Sequence, residues 1–437
     1  MNVAVIGSGG REHALAYKIA ESKLLEKLFI IPGNPGSKKL GENVEIDISD
    51  NSELLKFFMS KSVDLVVVGP EQPLVDGLAN FLRENGIPVF GPDKNAAKIE
   101  GDKSFSKSLM KKYGIPTAEF SSFNKAEKSN ALEFLKTSEF PVVVKASGLA
   151  AGKGVLICDN YESAVAAVNS CFEDETFGKS GHTIVIEEFL DGEEVSIFAI
   201  TDGKDYVILP PSQDHKRIFD GDKGKNTGGM GAYAPAPIVK FFDGQAQLKK
   251  NCVNIEQIEN EIIKPTLTAL KEENATYNGC LYAGLMITDS GPKVIEFNCR
   301  FGDPETQAVL PLLEGDFLKL LYSAASGKID KNAVNYNGGA SVCVVAVSEG
   351  YPGAYEKGYE IEGLSEAEQE NALIFHAGTK ETGGKTVTNG GRVLGVTSVI
   401  KSNDLRLAKS ISYNAIDKIK YNGIFYRKDI SDKAFEN

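Results

Sequence analysis

The stretch Val142–Val155, VVVKASGLAAGKGV, decides how this chain is read. A β-branched run ends at Lys145, a loop of small residues follows, and a second strand restarts at Gly154. Val-rich segments flanking a Gly-rich turn suit strand, flexible turn, strand. Ala146, Ser147, Gly148 and Ala150 let backbone approach a ligand closely, and Lys145 and Lys153 flank them. Exposed N–H groups and ammonium charges that converge in this way suit phosphate oxygens. The spacing is not that of a P-loop. Gly148–Gly154 is one residue short and has Gly where Ser or Thr should ligate Mg²⁺. By itself the stretch reads equally as a Gly-rich hairpin and as a phosphate cradle.

Upstream, residues 1–90 alternate strand and helix. Strands are expected at Val3–Ile6, Leu28–Ile31, Leu65–Val68 and Pro88–Phe90, and helices at Arg11–Glu26, Ser52–Met59 and Leu74–Asn85. Near-continuous apolar strands between amphipathic helices predict a parallel sheet covered on both faces. The first turn, Gly7-Ser8-Gly9-Gly10, opens a helix and reads either as an anion site at the helix N-terminus, for a phosphate or phosphosugar, or as a purely structural tight turn. It is not a dinucleotide fingerprint: Glu12 stands where the third glycine belongs, and the second strand ends in Pro32-Gly33 with no acid for a ribose. Two further turns, Pro32–Gly36 and Gly69–Leu74, end strands on the same side of the sheet, which favours a binding cleft there.

Downstream, a helix is expected from Lys103 to about Tyr113, then a small α/β unit over 141–190, an acidic turn at Glu187–Glu194, and a long ordered loop over 211–237. A helix over about 246–273 precedes a hairpin at Leu281–Asp289 and Lys293–Asn298. On that second strand Glu296 and Asn298 share a face, and a carboxylate and an amide oxygen so placed suit Mg²⁺. Strands at Ser341–Val347, Phe375–Thr379 and Arg392–Val399 and a helix over about 404–420 complete the chain.

The bulk composition excludes several classes. At 437 residues the chain predicts roughly three domains, and no run of ~18 apolar residues marks a membrane span. A formal charge of −12 argues against nucleic acid, which expects a basic footprint. Six scattered cysteines without a CxxC pair argue against a zinc ribbon or disulfide framework and suit a reducing cytoplasm.

An ordered set of motifs resembles one family along nearly the whole chain: VIGSGGREHALA at 5–16, PGNPG at 32–36, VGPEQPLVDGL at 68–78, KASGLAAGKGV at 145–155, IVIEEFLDGEEVS at 184–196, SQDHKR at 212–217, NTGGMGAY at 226–233, KVIEFNCRFGDPETQ at 293–307, FHAGT at 375–379 and NGGRVL at 389–394. The family is that of the phosphoribosylamine–glycine ligases, ATP-grasp enzymes of purine synthesis. The resemblance implies an ATP-grasp fold: an N-terminal parallel-sheet α/β domain over 1–102, an ATP-grasp domain over 103–325 with a mobile lid at about 120–190, and a C-terminal mixed-sheet domain over 326–437. It also implies ATP, glycine and 5-phosphoribosylamine as substrates, Mg²⁺ or Mn²⁺ as cofactor, a glycyl phosphate intermediate, a cytoplasmic monomer or weak dimer, and transient contact with the enzyme that supplies phosphoribosylamine.

Roles follow from the same resemblance. Lys103 and Lys145 match the lysines on the ATP phosphates, and the loop with Ser147, Gly148, Gly152, Lys153 and Gly154 would close over them. Glu187, Glu188, Phe189 and Leu190 match the adenine-facing linker, Glu194 the acid on the ribose hydroxyls with Glu193 as second choice, and Glu296 and Asn298 the metal ligands. The preceding strand offers Gly284-Leu285-Met286 where many relatives carry another carboxylate, leaving Glu305 or substrate oxygens to serve a second metal. On the acceptor side Arg300 is expected at the glycine carboxylate or acyl phosphate and Asp214 at the glycine ammonium. His215, Lys216, Gly229 and Met230 would line the site, with Gly9, Gly10 and Arg11 at the acceptor's phosphate. His13 reads either as a helix residue or as a ligand. The alternatives are another ATP-grasp ligase or carboxylase-type synthetase, and a non-catalytic nucleotide-binding regulator.

Overall fold

The computed structural model describes residues 1–150, 154–174, 176–245 and 247–436. Its first sheet is parallel, in the spatial order Glu42–Asn43, Lys27–Pro32, Asn2–Gly7, Leu65–Val68, Val89–Phe90. Val3, Val5, Ile30, Val66 and Val67 are fully buried, as a sheet covered by helices on both faces requires. The first helix, Gly10–Ala20, ends earlier than the sequence pattern suggests. The helix expected over Leu74–Asn85 is two, Glu71–Asp76 and Leu78–Glu84, because Gly77 adopts φ +101° and turns the chain between them.

A second, antiparallel sheet has the order Phe120–Asn124, Thr183–Glu188, Val142–Ala146, Val155–Cys158. With helices Lys128–Lys136 and Tyr161–Phe172 it encloses its own apolar core of Leu135, Val142, Val144, Val168, Phe172 and Ile186, separate from the main core. The strands flanking the Gly-rich turn, Val142–Ala146 and Val155–Cys158, pair antiparallel in register from Val142↔Cys158 to Lys145↔Val155, the strand–turn–strand geometry common to both readings of Val142–Val155.

Opposite lies a third sheet, ordered Tyr206–Ile208, Glu193–Thr201, Gly279–Thr288, Gly291–Asn298. The helix expected over about 246–273 begins only at Ile255 and runs through a π-helical turn at Glu259–Ile263 before Lys264–Glu272.

The last sheet corrects two expectations. It is antiparallel at every pairing rather than mixed, and its first two strands, Gln213–Asp214 and Gly231–Ala234, come from the segment read as a long loop. Gly231–Ala234 pairs with Ala340–Ser348, so this region fastens the middle of the chain to its final third. Main-chain pairing satisfies polar groups that a buried loop would leave open.

Candidate functional site

A cavity of about 800 Å³ is walled by strand residues of the second, third and last sheets and, from the N-terminal part, by the helix residues Arg11 and Glu71. Lys145 enters it from the hairpin. Val143 pairs with Glu187 and Lys145 with Val185, so Lys145 and Glu187 are diagonal neighbours on one face of the sheet. Lys145 Nζ donates to Glu187 Oε2 at 2.9 Å and to the Ile295 carbonyl at 3.1 Å. The same Glu187 oxygen is 2.8 Å from Lys107 Nζ, while Glu187 Oε1 is buried with no partner among the described residues. Lys103 stands one helical turn before Lys107, so both face the cavity. Burial draws the Lys103 ammonium below its usual pKa, against the pull of Glu296. Lys107 was missed in the sequence reading; its i, i+4 spacing from Lys103 is the signal that could have found it.

The loop's small residues do structural work. Ser147 Oγ donates to Asp102 Oδ1 at 2.8 Å and accepts from Ser104 N–H at 2.9 Å, tying the loop to the start of helix Lys103–Tyr113. A side chain on Gly148 would strike Ser180, and neither residue lines the cavity. Gly154 does line it. Gly152 and Lys153 lie outside the described residues.

Glu188, Phe189, Leu190, Glu193 and Glu194 all border the cavity. Glu193 is held by Lys249 at 2.5 Å and Gln213 at 3.1 Å, whereas Glu194 pairs with Lys216 and is more open, 38% exposed. Phe189 and Ile157 are exposed apolar side chains, and both exposures are toward this cleft.

Glu296 and Asn298 stand two residues apart on strand Gly291–Asn298 and both line the cavity. Burial would raise the Glu296 carboxyl, but Lys216, Lys103, Lys145 and Arg300 hold it below its ordinary value. An ionised carboxylate beside an amide oxygen fits a hard divalent cation. Among the described residues no group of three or more His, Cys, Asp or Glu could hold a metal. Phosphate or water oxygens must complete any shell built on this pair. Gly284 faces Glu296 in register, confirming the missing carboxylate there. Glu305 instead borders the cavity, accepting from Ser196 Oγ at 3.1 Å and Tyr282 OH at 2.9 Å.

On the other side, burial raises the Asp214 carboxyl to about 7, eased by Lys216 and increased by Glu305 and Glu194. Burial opposes the Lys216 ammonium, yet Glu194 and Asp214 hold its pKa well above the usual value. Arg300 is gripped by two acids, Glu71 at 3.1 Å and Glu100 at 3.0 Å. Arg11 is anchored to Glu12 at 2.6 Å and to the Phe301 carbonyl at 3.2 Å. Arg392, not singled out in the sequence, also reaches the cavity and holds Asp303 at 3.1 Å.

Several expected contacts are not brought to the cavity. Gly9 N–H donates to Glu12 Oε2 at 2.7 Å, so a carboxylate of the chain itself sits at the helix N-terminus where a phosphate was expected. Gly9 lines a smaller separate cavity, and Gly10 packs against Gln307. His215 and Met230 are fully buried. Burial lowers His215 to about 3, so it is a neutral ring in the interior rather than a ligand at the surface of the site. Gly229, at φ +109°, packs on Pro304, which leaves no room for a side chain. His13 is the helix residue of its two readings, its Nδ1 accepting from His376 N–H at 2.8 Å.

Family models tile this architecture. The phosphoribosylglycinamide synthetase N domain matches residues 1–100, its ATP-grasp (A) domain 101–306 and its C domain 341–433. The chain belongs to the phosphoribosylglycinamide synthetase family. Within it, the chain is 44% identical to the phosphoribosylamine–glycine ligase of Caldanaerobacter subterraneus subsp. tengcongensis, over 99% of each. It is 46% identical to that of Pseudomonas aeruginosa, over 99% of this chain and 98% of the other. The crystal structure of the Thermotoga maritima phosphoribosylamine–glycine ligase superposes with a TM-score of 0.83 at 35% identity, covering 99% of this chain and 100% of that one. A biotin carboxylase domain from Hydrogenobacter thermophilus, at 17% identity and TM-score 0.71, shares the fold alone. Among the described residues no helix is long and apolar enough to cross a membrane.

Proposed function

We propose that this cavity ligates glycine to 5-phosphoribosylamine, driven by ATP, to give glycinamide ribonucleotide, ADP and phosphate. One observation carries the reading. A single cavity gathers lysines Lys103 and Lys145, the hard-oxygen pair Glu296 and Asn298, and the oppositely charged Asp214 and Lys216. These are the three needs of a ligase that activates a carboxylate by phosphorylation.

A carboxylate resists acylation because oxide is a poor leaving group. In the proposed route a glycine carboxylate oxygen attacks the γ-phosphorus of ATP, the bond to the β,γ-bridging oxygen breaks, and ADP leaves. The phosphoribosylamine nitrogen then attacks the acyl carbon of glycyl phosphate, phosphate departs with the C–O bonding pair, and the nitrogen sheds a proton. No residue needs to become covalently attached. Positioning and charge neutralisation supply the catalysis, as is general in phosphoryl transfer.

Residues divide accordingly. Lys103 and Lys145 face the phosphates, while Phe189, Leu190, Ile157 and Met286 offer apolar surface to the base. Buried and with no partner among the described residues, Glu187 Oε1 suits an amino donor such as that of adenine. Glu194 takes the ribose hydroxyls. Asp214 meets the glycine ammonium, Arg300 the carboxylate, and Arg11 and Arg392 the phosphate of the acceptor, in place of the Gly9–Gly10 turn. Glu296 and Asn298 would hold Mg²⁺ or Mn²⁺, which when bound neutralises phosphate charge. The unit over about 120–190, with its own core, is the lid that closes on ATP, between bodies bounded at 1–102, 103–325 and 326–437. Six free thiols suit a cytoplasmic protein, here a monomer or weak dimer that receives phosphoribosylamine by transient contact with its supplier.

The test is ADP release. Turnover is expected with glycine plus phosphoribosylamine and not with bicarbonate; turnover with bicarbonate alone would move the chain to the carboxylase-type chemistry that shares its fold.

A further inference from the structure

Lys107 is almost wholly buried, yet nothing in the proposed chemistry requires it to touch substrate. Its Nζ contacts Glu187 Oε2 at 2.8 Å and Thr117 Oγ1 at 2.7 Å, and stands 5.9 Å from the Phe120 ring. Thr117 Oγ1 in turn donates to the Val294 carbonyl at 2.7 Å, which fixes the ammonium from behind. Glu187 therefore sits between two lysines, Lys107 at 2.8 Å and Lys145 at 2.9 Å, all three side chains no more than 5% exposed.

The charge count matters here. Lys145 with Glu187 alone is neutral overall, and a neutral pair attracts phosphates weakly. Adding Lys107 leaves the trio with one net positive charge, and Lys145 is the member continuing toward the Gly-rich loop. Burial pulls the Lys107 ammonium down to about 8 even with Glu187 beside it, so keeping a second cation here costs free energy.

We propose that Lys107 is a positioning residue: by neutralising Glu187 it frees the Lys145 charge for the nucleotide phosphates and holds the carboxylate in place for Lys145 to align on. This rests on the reading that the cavity binds ATP, and it adds a residue that acts on phosphate recognition through two others.

The experiment is calorimetric binding of a non-hydrolysable ATP analogue and of AMP to the full chain and its variants. Wild-type protein should bind the analogue; failure at that step would overturn the ATP reading itself and not the role of Lys107. Lys107→Met is expected to weaken the analogue about tenfold and AMP less than about twofold, because a lost charge acts on phosphates in proportion to their number. Replacing both members, Lys107→Met with Glu187→Gln, restores the net charge of the group and should bring the ratio of analogue to AMP affinity back to within about threefold of wild type, any loss at the adenine falling on both ligands alike. A merely structural role predicts equal weakening of both ligands and a double variant no better than the single one. Either result, or unchanged binding by Lys107→Met, would overturn the inference. Should Lys107→Met not fold, Lys107→Gln keeps a donor for Glu187 without the charge and gives the same comparison.

Discussion

Arg300 Nε donates to Glu71 Oε2 at 3.1 Å, joining positions 229 residues apart in the chain. Glu71 opens helix Glu71–Asp76 and Arg300 follows the strand carrying Glu296, so the contact locks two walls of the cavity together. A guanidinium can hold Glu71 and Glu100 and still present a planar pair of donors to a carboxylate or phosphate, whereas an ammonium has one donor left and no plane. Arg300→Lys is expected to lower kcat/KM for glycine on the order of 10²-fold. A loss below about threefold would remove Arg300 from the acceptor side.

The same contact predicts an acid-side effect. Burial raises the Glu71 carboxyl, but Arg300 and Arg11 overcome it and hold the group at about 2. A depressed carboxyl contributes stability that is full above its unfolded value near 4.5 and is lost as pH falls toward 2. Urea midpoints at pH 5 and pH 3 should therefore fall less in Glu71→Gln than in wild type. An identical drop in both would count against the ion pair.

Lys145→Ala and Glu296→Ala should each lose about 10²-fold or more in kcat/KM for ATP, the scale found when a preorganised charge is deleted. Near-normal rates in either variant would reject its assigned place.

Asp214 predicts a pH profile. Burial leaves its carboxyl protonated below about 7, and only the ionised form pairs with an ammonium. In the free enzyme kcat/KM for glycine should fall about tenfold per unit below that pH. Asp214→Asn should be slow and lack this limb; a variant retaining it would assign the titration elsewhere.

Chelation should stop turnover, and added Mg²⁺ or Mn²⁺ should restore it in wild type. Glu296→Ala should need at least about tenfold more metal for half-recovery, by loss of one of few protein ligands. Equal metal requirements would place the cation away from Glu296.

Much of the site was legible in one dimension because its parts are local. Glu296 and Asn298 share a face by the period of a strand, Lys103 opens a helix after its Asp102 cap, and the hairpin of Val142–Val155 announces itself by β-branched flanks and small residues. Misreadings arose where a distant partner decided. His215 sits in a dense motif, yet the packing of Tyr233 and its neighbours buries it.

What the sequence determined by itself was the run of strands and helices, the family, and the chemical kinds of group present, since these depend on periodicity, turn residues and motif order. Tertiary structure alone decided which groups meet. Lys107, Glu187 and Lys145 come from three elements, Arg392 reaches the cavity from the last sheet, and Gly231–Ala234 is drawn into that sheet by pairing with Ala340–Ser348. Charges and main-chain donors find partners through space, and that distance is not written in the spacing of residues along the chain.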